Sequence, residues 1–142
     1  MRAKFTVPGE PQGKARPRFA RLPNGKTRTY TPNETVIYEN LIVTSYRQQY
    51  GSARFPDDAR LDMRVMAYYA IPASASKKKK QQMADGEIRP TKKPDMDNIV
   101  KAVSDALNQV AFRDDSQIVD CQVRKFYSTY PRIEVTILTA PN

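Results

Sequence analysis

The chain of 142 residues has no histidine and no tryptophan, one cysteine, Cys121, and only five glycines. Each shortage closes off a class of answers. Without histidine there is no Ser-His-Asp or Cys-His nucleophile and no zinc site built on imidazole. A lone cysteine cannot form an internal disulfide, which fits a reducing, cytoplasmic setting. No apolar run approaches the roughly 18 residues of a membrane helix. The start MRAKFTVPGE has no signal-peptide core, so the sequence reads as a soluble cytoplasmic protein with no membrane partner. The length fits a single domain over residues 1–142.

Acid is scarce too. Twenty-four Lys and Arg face fifteen Asp and Glu, a formal charge of +9. Such an excess favours a polyanionic partner, most simply nucleic acid. The charge is unevenly placed. Residues 1–30 carry eight basic side chains and one acid, Glu10, and residues 74–93 carry seven against Asp85 and Glu87. The sign then reverses. Residues 95–120 hold six aspartates against Lys101 and Arg113, a net of −4.

Periodicity predicts an α+β fold, a mixed sheet with helices packed on one face. Strands are expected at Lys4–Val7, Leu61–Ile71, Val119–Phe126 and Pro131–Leu138, with a brief one at Thr29–Thr31. In Val119–Phe126 the alternation puts Val119, Cys121 and Val123 on the apolar side, which makes Cys121 a small core residue. The Pro-rich stretch Pro8–Asn24 reads as extended or looped. Thr31-Pro32-Asn33-Glu34 has the form of a capping box, opening a helix that buries Ile37, Tyr38, Leu41 and Ile42 and stops at Gly51. Ser76 caps a short helix from Lys77 to Ala84. Asp95–Val110 is the clearest helix, with Ile99, Val103, Ala106, Leu107 and Val110 on one side and Asp97, Lys101, Ser104, Asp105 and Asn108 on the other.

The basic stretches are candidate phosphate clamps: Lys14, Arg16 and Arg18 in the N-terminal arm, then Lys77, Lys78, Lys79, Lys80, Lys92 and Lys93. Four lysines in the first turn of a helix oppose its dipole, which suggests an anion bound there. The acidic stretch is the candidate reaction centre. Asp95 and Asp97 share a helix mouth, and a helix and strand that pack together can return Asp114-Asp115 toward them. Converging carboxylates need protons or cations. Oxygen donors without His or Cys select Mg²⁺ or Mn²⁺. With basic surroundings, that set describes metal-dependent phosphodiester hydrolysis. Lys101, one turn after Asp97, is either a cation for the scissile phosphate or an i,i+4 partner of Asp97 and Asp105. A non-catalytic DNA-binding protein is the alternative from another class.

KPDMDNIVKAVSDALN (93–108) followed by FRDDSQIVD (112–120) resembles the RusA-like Holliday junction resolvases. P-D-x-D-N, a lysine three residues after the Asn, D-A-L, and then D-D-x-Q-[IV] stand in the family's order. GEPQGKARPRFAR and IPASASKKKK are similar to its phage-type branch. The resemblance implies a homodimer with a mixed sheet that cuts four-way DNA junctions by paired symmetric nicks with Mg²⁺. It assigns metal binding and catalysis to Asp95, Asp97 and Asp115, and a catalytic role to Lys101. The spacer Asn108–Arg113 is a residue shorter than in the best-known member, so Asp114 stays an alternative to Asp115.

Overall fold

Alternating apolar and polar side chains build the centre of this structure, a computed structural model that describes residues 1–141. In chain order the elements are β1 (Arg2–Pro8), β2 (Arg18–Arg21), β3 (Thr27–Tyr30), α1 (Asn33–Tyr50), β4 (Leu61–Ala70), α2 (Lys77–Ala84), α3 (Met96–Leu107), β5 (Ile118–Ser128) and β6 (Arg132–Thr139). A short 3-10 turn, Asp115–Gln117, leads into β5. β1, β6, β4 and β5 form one sheet in that order, and β2 and β3 form a separate hairpin. β6 runs antiparallel to β1 and β4, while β4 and β5 are parallel, so the sheet is mixed. The expected α+β class holds.

The core lies on one face of this sheet. Leu61, Met63, Val65, Ala67 and Tyr69 of β4 and Ile133, Val135 and Ile137 of β6 are buried there, with Phe5 and Val7 of β1. α1 supplies Tyr38, Ile42 and Tyr46, and α3 supplies Ile99, Val103 and Leu107. Each such aliphatic side chain contributes roughly 1.5–3 kcal/mol by leaving water.

Several expectations need correction. α1 begins at Asn33 with Pro32 at the cap position and no side-chain cap bond, so the capping box at Thr31 does not form. The N–H groups of Thr35 and Val36 bond the Pro32 carbonyl instead. The buried stripe of α1 runs through Thr35, Tyr38, Ile42, Ser45 and Tyr46, leaving Ile37 67% exposed and Leu41 half-buried. The helix does stop at Gly51, whose φ of 56° suits glycine. α3 ends at Leu107, because Gln109 takes a φ of 65° and turns the chain before Val110. Ser104 and Ala102 join its buried side. Arg18–Arg21, expected as loop, is strand β2. Cys121 and Val119 are exposed, near the start of β5, one of the two edge strands of the sheet, while Val123 farther along packs against the core.

The pairing of β4 with β5 determines the layout of the acidic stretch. Two parallel strands need a crossover, and α3 in that crossover must run back against the strand direction. It therefore starts near the end of β4 and finishes near the beginning of β5.

Candidate functional site

Asp95 is the cap residue of α3 and Asp97 stands in its first turn. The Asp95 side chain makes no capping bond, and both carboxylates are exposed. Neither joins an ion pair among the described residues. The N-terminal dipole of α3 favours negative charge here. The segment before them is pinned. The Tyr69 hydroxyl donates to the Pro94 carbonyl at 2.7 Å, and the Lys125 ammonium donates to the Lys92 carbonyl at 2.7 Å. Burial, and then the carboxylates of Glu10 and Asp95, raise the Tyr69 pKa above its usual 10.0.

The N-terminal arm lies across the same turn. The Lys14 N–H donates to the Asn98 carbonyl at 3.0 Å, and the Ala15 N–H to the Thr35 hydroxyl at 3.3 Å. The Lys14 ammonium stands 2.6 Å from Glu39 of α1 and 3.3 Å from Asp105 of α3. Burial works against its charge, but these two carboxylates outweigh that and raise its pKa above 10.5. Lys14, expected to grip phosphate, thus ties the arm to both helices. Beneath the arm the Tyr38 hydroxyl is buried beside the Gln12 backbone, and burial pushes its pKa up to about 12.

Arm and helix together line an open-mouthed cavity of about 440 Å³. Its walls include Arg16 and Pro17 from the arm, Thr31, and Asn98, Lys101 and Asp105 from α3. Lys101 is exposed and in no ion pair among the described residues, so the i,i+4 pairing with Asp97 and Asp105 does not form. It stands beside the free carboxylates as an unspent cation. Arg16 lines the same cavity.

Asp114 and Asp115 lie elsewhere. Asp114 caps the 3-10 turn in a capping box with Gln117, and the Gln117 amide donates to the Pro56 and Ala59 carbonyls, just before β4 begins. The Ser116 hydroxyl and N–H hold the Asp114 pKa below its usual 3.8. Asp95 is anchored through Pro94 to Tyr69, and from Leu61 to Tyr69 strand β4 advances on the order of 25 Å. The expected return of Asp114-Asp115 toward Asp95 and Asp97 does not occur within one chain, because the crossover helix carries the chain away. Among the described residues, no three acidic or Cys side chains gather closely enough to hold a metal ion.

The donor chemistry still fits a hard cation. Asp95 and Asp97 offer oxygen only, free of internal partners, and Mg²⁺ takes one or two carboxylates and completes its shell with water and phosphate oxygens. Of the other expected clamps, Lys77, Lys78, Lys79 and Lys80 are exposed on α2, whose Ser76 cap accepts from the Lys79 N–H. Lys93 and Arg18 are exposed as well. The Lys92 ammonium lies 5.9 Å from the Tyr69 ring centre and 6.0 Å from that of Tyr127. Two neighbours escaped the sequence reading. Glu10 accepts from the Ala70 N–H at 2.9 Å, beside the same Tyr69 as Asp95. Lys125 lies 5.1 Å from the Tyr69 ring centre. The signal for Glu10 was its place as the one acid in the first thirty residues; Lys125 has none, since nothing local marks the inward end of an edge strand.

Residues 8–138 match the model of the family described as Endodeoxyribonuclease RusA. The chain is also similar to the uncharacterized protein YqaN of Bacillus subtilis (strain 168), 41% identical over 134 residues that span 94% of each chain.

Proposed function

This chain belongs to the RusA endodeoxyribonuclease family, and from that premise we propose that it resolves branched DNA, four-way Holliday junctions foremost, by paired symmetric nicks in recombination and repair. The proposed ligands for Mg²⁺, with Mn²⁺ as a substitute, are Asp95, Asp97 and Asp115. The observation that carries this reading is the pair of unpartnered carboxylates at the mouth of α3, with the free cation Lys101 one turn away. When bound, the ion supplies Lewis acidity at the scissile phosphate and a water of lowered pKa.

The chain's own residues do the rest. Asp95 and Asp97 present oxygen ligands at a fixed helix end, oriented by the Tyr69–Pro94 bond. Lys101 neutralises charge that develops on the phosphate oxygens. Arg16 and the exposed lysines of α2 hold the flanking backbone, without reading its sequence.

A two-fold homodimer completes the reading. Asp115 lies a sheet's length from Asp95 and Asp97 in its own chain, so the three-carboxylate set closes only between two copies. Each dimer then holds two such sites, as two coordinated nicks require.

A mixing experiment tests this. Asp97→Asn and Asp115→Asn chains, carrying different tags, are co-expressed, and the mixed dimer is assayed on a synthetic junction with Mg²⁺. Neither parent cuts. The mixed dimer has one site with both lesions and one with none, so it should nick one strand of each junction. A mixed dimer that binds junctions without nicking them would place the whole site in one chain. A wild-type protein that never cuts would reject the nuclease reading.

A further inference from the structure

The hairpin of β2 and β3 has no part in the core or in the carboxylate site. The two strands make their substantial contacts with each other, pairing Arg18 with Tyr30 and Arg21 with Thr27. Apart from Ala20, every residue in them is exposed. A two-stranded ribbon in water is marginal unless something packs on it. Four cations sit on this one, Arg18, Arg21, Lys26 and Arg28, and none has a carboxylate partner among the described residues. Phe19 is 75% exposed, more than any other large apolar side chain among the described residues.

Its position adds a second observation. Pro17, immediately before β2, and Thr31, immediately after β3, both line the cavity that holds Lys101 and Asn98. The ribbon therefore rises from the wall of the candidate site. Alternation puts Arg18, Arg28 and Tyr30 on one of its faces, and Phe19 and Arg21 on the other.

We propose that this ribbon is the arm that opens the branch point: its arginines neutralise phosphates of a flanking duplex, and Phe19 stacks on a base left unpaired where the helices meet. The inference rests on the reading of branched DNA as substrate. Paired cations without acids select a polyanion over a protein surface. A bare ring gains nothing against a closed duplex, whereas any exposed base offers a face to stack on. Unstacking costs least where pairing is already broken, so a branch is the favoured place for the ring.

The absence of tryptophan makes the test direct. In an Asp97→Asn background, Phe19→Trp provides the sole indole, and Phe19→Ala removes the ring. The probes are a synthetic four-way junction and a linear duplex of the same length. Indole emission should be quenched by the junction and unchanged by the duplex. Phe19→Ala should weaken junction binding roughly tenfold and duplex binding less than twofold. Arg18→Ala with Arg28→Ala should weaken both and lower the log–log salt slope by roughly two. If the junction binds tightly but leaves the indole emission unmoved, and Phe19→Ala binds like its parent, the ribbon has no such role. If the unmodified chain binds neither DNA, the DNA reading itself falls and takes the ribbon with it. Matching far-ultraviolet spectra and melting curves keep folding out of the comparison.

Discussion

Gly13 rests against Asn98 with no room for a side chain: a Cβ there would stand 2.8 Å from the Asn98 Cβ and 3.0 Å from that of Pro94. This contact, with the Lys14 N–H bond to the Asn98 carbonyl, seats the N-terminal arm on the first turn of α3, and Arg16 and Lys101 line the same cavity. Gly13→Ala should cost about 1–3 kcal/mol in stability through overpacking. It should also slow junction cleavage more than tenfold, since the arm must lift to make room. Thermal melting and single-turnover cleavage measure the two effects. A variant that cuts at the parental rate would show that the seat does not matter to the chemistry.

Lys14 links the arm to α1 and α3 through Glu39 and Asp105. Lys14→Met leaves two part-buried acids facing each other, and the melting temperature should fall. The salt dependence of DNA binding should stay as it is, because no phosphate contact is lost. The pH dependence has a definite sign. The folded-state pKa is raised, so this stabilisation is complete below pH 10.5 and fades as pH climbs through the higher folded value. The alkaline limb of the melting profile should be shallower in Lys14→Met; an identical limb would argue against the tether.

Lys77–Lys80 carry opposite expectations for stability and for binding. In the first turn of α2 each lysine opposes the helix dipole by about 0.3–1 kcal/mol at low salt. Replacing all four by alanine should therefore raise the melting temperature while weakening binding to every DNA sequence alike. Filter binding at several salt concentrations, beside a melting curve, separates the two. Unchanged affinity would remove α2 from the DNA contacts.

Lys101→Ala should lower the cleavage rate more than the affinity, if its ammonium serves the reacting phosphate as proposed. Equal losses in the two measurements would make it a binding residue only.

Asp114 offers a test at acid pH. Its carboxylate closes the capping box before β5, and its pKa lies below 3.8. The stabilisation is present above that pH and is lost as pH falls through the folded value. Asp114→Asn should flatten this part of the acid limb of a melting-temperature profile while changing little at neutral pH.

How far the fold could be read in advance depended on what each residue's neighbours do. The apolar side of α3 was legible because Ile99, Val103 and Leu107 recur at helical spacing, and Ser76 announced α2 as a cap residue should. β4 and β6 alternate cleanly because one face of each is buried. Ile37 and Tyr38 both suit a buried stripe, and only packing against β1 and α3 decides that α1 turns Tyr38 inward. Cys121 alternates like a core residue, but whether an edge strand is covered is decided by distant elements: α1 packs on β1 and buries its alternate residues, while the start of β5 stays exposed. The candidate site was legible as residue types and only half legible as geometry. Asp95, Asp97 and Lys101 lie on one helix, where spacing settles proximity. The distance to Asp115 depends on β5 running parallel to β4, a long-range pairing with no local signature.

That parallel pairing also bears on how the activity answers to the amount of protein. If the crossover exports the two parts of the carboxylate set to opposite ends of each chain, a lone copy is harmless to DNA. Cutting then rises with the square of concentration when protein is dilute and becomes linear once copies are paired. A freshly made chain would meet branched DNA without cutting it, and the nuclease would arm itself only after enough of it had accumulated.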